Sequence, residues 1–244
     1  MLKQIIRKFL IALRIDLTKN LHYDRLTLKI LDKLLQRDTN CIDIGCHKGE
    51  ILEEILKRSP EGRHFAFEPI PTLYNALKML FDGRNVTFSD VALSDRKGVA
   101  TFNYVLDAPA YSGLKKRDYA VKEPEIEVLD VKLDTLDHVI PGDYRVDFIK
   151  LDVEGGEFDV LKGARQTMEK HKPFIIFEFG LGASDHYDVV PEKFFEFMDQ
   201  AGYGIFLLQD FLRKGSRLSL AQFLKIYLSN SEYYFIAAAL ERKR

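Results

Sequence analysis

With 244 residues, 46% hydrophobic and 30% charged, the chain is long enough for one sizeable globular domain with a small appendage. A formal net charge of -1 gives no global electrostatic case for a nucleic-acid partner, which a basic surface would favour. No apolar run approaches the roughly 20 residues that a bilayer span demands. The two cysteines, Cys41 and Cys46, have no second pair to complete a zinc site. They read as a small core residue and a small turn residue in a reducing cytoplasm.

Residues 2–15 open the chain as an amphipathic helix. Leu2, Ile5, Ile6, Phe9, Leu10 and Leu13 recur at helical spacing, with Lys3, Arg7, Lys8 and Arg14 largely opposite. Basic residues interrupt the apolar stretch, which argues against a signal peptide. Packing on the domain is the preferred expectation. A homodimer contact or a peripheral position on the inner face of a membrane are the alternatives. Residues 23–35 read as a second helix, so an N-terminal helical segment over residues 1–38 is expected to pack on a domain covering 39–244.

From there strands and helices alternate. Strands are expected at 41–44, 64–67, 86–89, 146–151 and 174–179, with helices near 50–58, 72–81, 157–170 and 191–201. Residues 99–105 and 125–133 alternate in β fashion around a loop and read as an added antiparallel hairpin. Residues 203–208 and 233–239 supply the last two strands. The expected fold is α/β: a three-layer sandwich around a seven-stranded, mostly parallel sheet with the last strand antiparallel. A wholly parallel six-stranded sheet would contradict it.

The chemistry concentrates after strand ends. Asp43-x-Gly45-x-x-x-Gly49 follows the first strand and opens a helix, an arrangement that lets a ligand approach backbone at the carboxyl edge of a sheet. It is not the G-x-G-x-x-G turn that seats a pyrophosphate. Glu68-Pro69 ends the second strand, 25 residues beyond Asp43, where a carboxylate can accept both ribose hydroxyls of an adenosyl cofactor. A structural role at the start of the next helix is the alternative. The fourth main strand leads into Asp152-Val-Glu154-Gly-Gly-Glu157, and Glu178 sits in the apolar run Phe177-Glu-Phe-Gly180. Asp152, Glu154 and Glu157 could simply gain from the dipole at a helix start, although the adjacent glycines suggest a close approach to the backbone. An unpaired carboxylate in an apolar run is costly, so Glu178 is not expected to be a casual surface residue.

These segments, with Val91-Ala-Leu-Ser-Asp95 and Thr135-Leu-Asp137, resemble the FkbM methyltransferases over about residues 40–180. The most specific match is Asp147-Phe-Ile-Lys-Leu-Asp-Val-Glu-Gly-Gly-Glu-Phe-Asp-Val-Leu-Lys-Gly163. The chain departs at Cys46-His47, where the family commonly has Ala-Asn. The resemblance implies a class I, S-adenosylmethionine-dependent fold. In it Asp43, Gly45, His47 and Gly49 line the methionine part of the cofactor, and Glu68 with Pro69 holds the ribose. Asp90, Val91 and Ala92 would flank the adenine. Asp152 and Glu154 would lie where the sulfonium methyl meets the acceptor, with Glu178 across the crevice.

It further implies O-methylation of a sugar, glycan or natural-product hydroxyl. The expected mechanism is alignment plus proton uptake by a carboxylate, Asp152 first and then Glu154 or Glu178; His138 and His186 read as bystanders. Several converging acids could also hold a divalent metal, an alternative ranked below direct carboxylate chemistry. The acceptor is expected over the inserted hairpin, near Tyr104, Tyr111, Ser112 and Tyr119. Two rival readings are an NAD-type oxidoreductase, which should show G-x-G-x-x-G, and a non-catalytic binding module.

Overall fold

The structure is a computed structural model that describes residues 18–117 and 124–241. The amphipathic segment 2–15 and Tyr119 lie outside the described residues. The first described helix, α1 (Lys19–Leu34), is capped by the Thr18 hydroxyl and buries Tyr23, Leu26, Ile30 and Leu31 on one side. It starts four residues earlier than its apolar stripe indicates, because polar Lys19, Asn20 and His22 carry no periodic signal.

Short apolar strands follow: β1 (Cys41–Ile44), β2 (His64–Phe67) and β3 (Val86–Ser89), joined by α2 (Glu50–Arg58) and α3 (Pro71–Leu80). After an insertion come β7 (Phe148–Leu151), β8 (Phe174–Glu178), β9 (Tyr203–Leu207) and β10 (Tyr234–Ala239). They form one sheet in the order β3-β2-β1-β7-β8-β10-β9. β10 runs antiparallel to both β8 and β9, while the other pairs are parallel. This is the expected seven-stranded sheet, with helices on both faces.

The insertion is larger than a hairpin. β5 (Gly98–Val105) and β6 (Ile126–Asp134) pair antiparallel as expected, but β4 (Ala92–Leu93) adds parallel to β6 and makes a separate three-stranded sheet. Two residues are too few to show a period, so β4 left no pattern to read.

The expected helix 157–170 is instead two, α5 (Glu157–Lys162) and α6 (Arg165–His171). Asp137 is the reason. Its backbone N–H donates to the Gly163 carbonyl at 3.0 Å, and its carboxylate accepts from Gln166 N and Thr167 N, both at 2.8 Å. One side chain thus satisfies the first amides of the second helix, which would otherwise be orphaned.

Period-two alternation divides the strand residues between the two faces of the sheet. Ile42, Ile44, Ile149, Leu151, Ile175 and Phe177 join the larger core. Cys41, Phe148, Ile176 and Ile236 join the other, which α1 covers together with α8 (Leu208–Leu212). By the same alternation Asp43, Lys150, Asp152, Glu178 and Tyr234 face α1.

The buried stripe of α1 therefore holds the wall over this face. Ile30 is fully buried whereas Met79 is 81% exposed. Denaturant unfolding should show Ile30→Ala losing about 2–5 kcal/mol and Met79→Ala staying within about 0.5 kcal/mol of the parent.

Candidate active site

A cavity of about 1040 Å³ opens at the carboxyl ends of β1, β2, β7 and β8, on the face beneath α1. Among the expected site residues, Asp43, Gly45, His47, Glu68, Pro69, Val91, Ala92, Asp152, Glu154 and Glu178 line it. Gly49 and Asp90 do not. A Cβ on Gly49 (φ +75°) would lie 2.6 Å from Phe81 and 2.8 Å from Leu77, so that glycine serves packing between helices. Asp90 is half exposed, with Lys132 at 3.6 Å.

The β1 turn is built from contacts between strand ends. Gly45 has φ +72°, and a Cβ there would lie 1.8 Å from the Asp152 carbonyl oxygen. Only glycine lets the two turns touch, so the close approach that the sequence pattern signals is made here by the chain itself. His47 sits at φ +47°, in the left-handed region that Asn, Asp and His enter most readily among residues with a Cβ. Histidine at this position is therefore compatible with the turn, as the asparagine expected from the family resemblance would be. Its backbone N–H donates to Glu68 Oε2 at 2.9 Å, and Ile70 N donates to Glu68 Oε1 at 3.0 Å. Glu68 thus ties the β1 turn to the end of β2. Each oxygen keeps acceptor capacity for a further donor. Burial pushes its carboxyl up to about 7, against the two backbone donors.

Register assembles the acids. Asp43 pairs with Lys150 across β1 and β7, and Leu151 with Phe177 across β7 and β8. One step further, Asp152 comes level with Glu178, which itself pairs with Tyr234 on β10. A carboxylate oxygen from each of Asp152, Glu154 and Glu178 lies within 4.8 Å of the others, close enough to hold a small cation between them.

Lys150 lies in the middle of this group, only 8% exposed. Its Nζ donates to the Gly45 carbonyl at 3.1 Å and stands 3.3 Å from Asp152 Oδ2 and 3.8 Å from Asp43 Oδ1. Burial opposes its charge, but Asp152 and Asp43 outweigh burial and raise its pKa. Asp152 Oδ2 also accepts from the Tyr234 hydroxyl at 2.5 Å. Burial works against the Asp152 charge too, yet Lys150 and Tyr234 hold the carboxyl below its usual range.

Asp43 is raised to about 6 by burial, with Lys150 opposing. Both of its oxygens, and Asp152 Oδ1, are buried without a hydrogen bond among the described residues. Glu154 pairs with Arg117 from the inserted sheet. Burial and then Asp152 push it up to about 8 against Arg117. Glu178 makes no ion pair among the described residues, and burial followed by Asp152 raises it well above the carboxylate range.

Other acids prove structural. Glu157, fully buried, accepts from Val153 N at 2.9 Å and Gly155 N at 3.2 Å and so shapes the loop after β7. Ser112 lines the cavity but spends its hydroxyl on Val105 N at 3.0 Å. Tyr111 lines the wall beneath Arg117, 5.1 Å away, whereas Tyr104 does not reach it. His138 is exposed beside Asp134 at 2.9 Å, and His186 is likewise not a lining residue.

Lys150, Tyr234 and Tyr23 are among the lining residues that went unassigned in the sequence. Lys150 could have been noticed as a lone cation in an apolar strand. Tyr234 and the α1 residue Tyr23, stacked on it at 5.3 Å between ring centres, gave no signal distinct from packing.

Comparison with known proteins gives the family. The model of the methyltransferase FkbM domain matches residues 43–205. The 2-O-methyltransferase NoeI of Sinorhizobium fredii is 26% identical over 194 residues, 73% of this chain and 76% of that protein. Methyltransferase sdnD of Sordaria araneosa is 27% identical over 157 residues, 50% of this chain and 59% of that protein. The crystal structure of methyltransferase FkbM from Methylobacillus flagellatus shares the fold, with a TM-score of 0.50 at 16% identity over 84% of this chain and 44% of that one. The chain belongs to the FkbM methyltransferase family and is an S-adenosylmethionine-dependent enzyme.

Proposed function

We propose that the chain methylates a hydroxyl group of a small sugar, glycan or natural-product acceptor, using the acids beneath α1. The observation that carries this is the Asp152–Glu178 pair at adjacent strand ends. NoeI, named a 2-O-methyltransferase, supports oxygen as the methylated atom. The cavity residues suit the cofactor. About 1040 Å³ is at the upper end of the range of small-molecule pockets. Buried oxygens on Asp43 and Asp152 that accept no hydrogen bond among the described residues offer a cation and its amine or hydroxyl donors what they need.

In this reading Glu68 accepts the ribose hydroxyls, Val91 and Ala92 flank the adenine, and Asp43, Gly45 and His47 face the methionine part. When bound, S-adenosylmethionine supplies an electrophilic methyl whose leaving thioether needs no acid. Asp152, already committed to Lys150 and Tyr234, is a weak base and serves as a fixed anion that orients the acceptor hydroxyl. Glu154 is tied to Arg117. Glu178, with no cation of its own, takes the hydroxyl proton as oxygen attacks. The inserted sheet, through Tyr111 and Arg117, bounds the acceptor side.

Labelled S-adenosylmethionine screened against free sugars, oligosaccharides and polyketide-type alcohols should reveal an acceptor; labelling only of nitrogen or carbon atoms would refute O-methylation. With that acceptor, Glu178→Gln should lower kcat by about 10²–10⁴-fold and leave adenosylhomocysteine affinity within about twofold. A base with a raised pKa is active only when ionised, so kcat/KM should climb with pH through a midpoint above the ordinary carboxylate range. Turnover should survive exhaustive chelation; loss restored by a divalent ion would assign the acids to a metal instead.

Cofactor binding has its own pH dependence. Ribose hydroxyls donate to the ionised form of Glu68, whose carboxyl burial pushes up to about 7. Affinity for adenosylhomocysteine should therefore rise with pH up to about 7 and weaken by up to about tenfold per unit below it. Calorimetry across pH 5.5–8 checks this, and Glu68→Gln should flatten the slope.

A further inference from the structure

Asp152 is held by Lys150, which lies within the Asp147–Gly163 motif but has no role assigned above, and by Tyr234 from a different part of the chain. Lys150 precedes it by two on β7, so alternation puts both side chains on one face, and its Nζ lies 3.3 Å from Asp152 Oδ2. Tyr234 comes from β10, 82 positions away, and its hydroxyl donates to the same oxygen at 2.5 Å. The Tyr234 ring is fixed in turn by stacking on Tyr23 of α1. Oδ2 therefore has both acceptor positions filled, while the buried Oδ1 accepts from neither, and the Glu178 carboxyl, when protonated, donates to the same carboxylate. A carboxylate fastened in this way has a fixed direction.

We infer that Tyr234 and Lys150 are positioning residues that clamp Asp152 as an anion facing the methyl-bearing position of the cofactor. The clamp rests on the functional reading above, which puts that position at Asp152. Charged and titratable groups reach Asp152 from every side: Lys150 on its own strand, Asp43 on β1, Glu178 on β8 and Tyr234 on β10. Glu154 and Glu157 follow it in the chain, and Arg117 adds a cation beyond Glu154. Most of these neighbours are acidic, and Asp43, Glu154 and Glu157 disfavour the Asp152 charge, while the Glu178 carboxyl supports it by hydrogen bonding. Without Lys150 and the Tyr234 hydroxyl, the proton they jointly exclude would return to Asp152.

The test needs no acceptor. Sinefungin carries an ammonium-bearing carbon where the cofactor has its methyl sulfonium, whereas adenosylhomocysteine carries a neutral thioether there. A fixed anion at that point makes the chain prefer sinefungin. Dissociation constants for both are measured by calorimetry between pH 5.5 and 8.5, on the intact chain and on Tyr234→Phe.

Loss of one hydrogen bond to a charged group should cut the sinefungin preference by about tenfold. The pH at which that preference fades should move up by about one unit. Adenosylhomocysteine affinity should stay within about twofold. Tyr227→Phe removes a hydroxyl that contacts Ser184 outside the cavity and should change none of these. If Tyr234→Phe fails to fold, Lys150→Arg, which keeps the charge but displaces the donor, must show the same loss of preference. A folded Tyr234→Phe or Lys150→Arg that retains the parent ratio and pH midpoint overturns the inference. Failure of the parent chain to bind either nucleoside overturns the functional reading itself.

Discussion

The site depends on the lateral register of three neighbouring strands. Leu151 pairs with Phe177 and Glu178 with Tyr234, and this aligns Asp152, Glu178 and Tyr234 in one row at the rim of the sheet. A shift of one residue in any strand would turn its member of the row into the opposite core. The apolar residues on the other face, Leu151, Phe177 and Phe235, are almost fully buried and make such a shift prohibitive. Hydrophobic packing on one side of the sheet thus fixes the position of charge on the other. Lys150, one step inward and facing Asp43 across β1, keeps that charge tolerable: two buried acids share one buried cation.

Around this row the chain closes a crevice from two directions. α1 lies across it, latched to the stretch before β10: Lys19 Nζ donates to the Ser231 carbonyl at 2.7 Å and the Tyr233 hydroxyl to Asn20 at 2.5 Å. The inserted sheet approaches from the other side, with Arg117 on Glu154 and Lys115 N donating to the Tyr187 hydroxyl at 3.3 Å. Lys150 and Arg117 leave the lining acids in excess, which suits a sulfonium better than the pyrophosphate of a dinucleotide. Among the described residues no helix is long and apolar enough to cross a membrane.

Much of this was legible in the residues. Short apolar strands bounded by polar turns gave the sheet, because a doubly covered strand must be apolar throughout. Asp43, Glu68 and Asp152 stood out by their places at strand ends beside glycine turns or a helix start, and Glu178 because an acid is costly in so apolar a run. Three kinds of feature were not legible. The two-residue β4 is too short to carry a period, and the break between α5 and α6 is imposed by Asp137, about 30 positions upstream. The donors on Asp152 were the third: Tyr234 reaches it only through register, which no local pattern encodes. Glycine was legible as a constraint but not as to its cause, since Gly45 yields to the Asp152 carbonyl and Gly49 to Phe81 and Leu77.

Family membership and acid placement meet in one spatial claim, that the adenosyl cofactor lies along the β1–β2 rim with its sulfur toward the Asp152–Glu178 row. A crystal structure with adenosylhomocysteine measures that most directly. The account predicts ribose hydroxyls within hydrogen-bond distance of Glu68 and the thioether sulfur facing Asp152 and Glu178 from the side of Asp43. A nucleoside bound elsewhere, or bound with its sulfur turned away from those two acids, would contradict it.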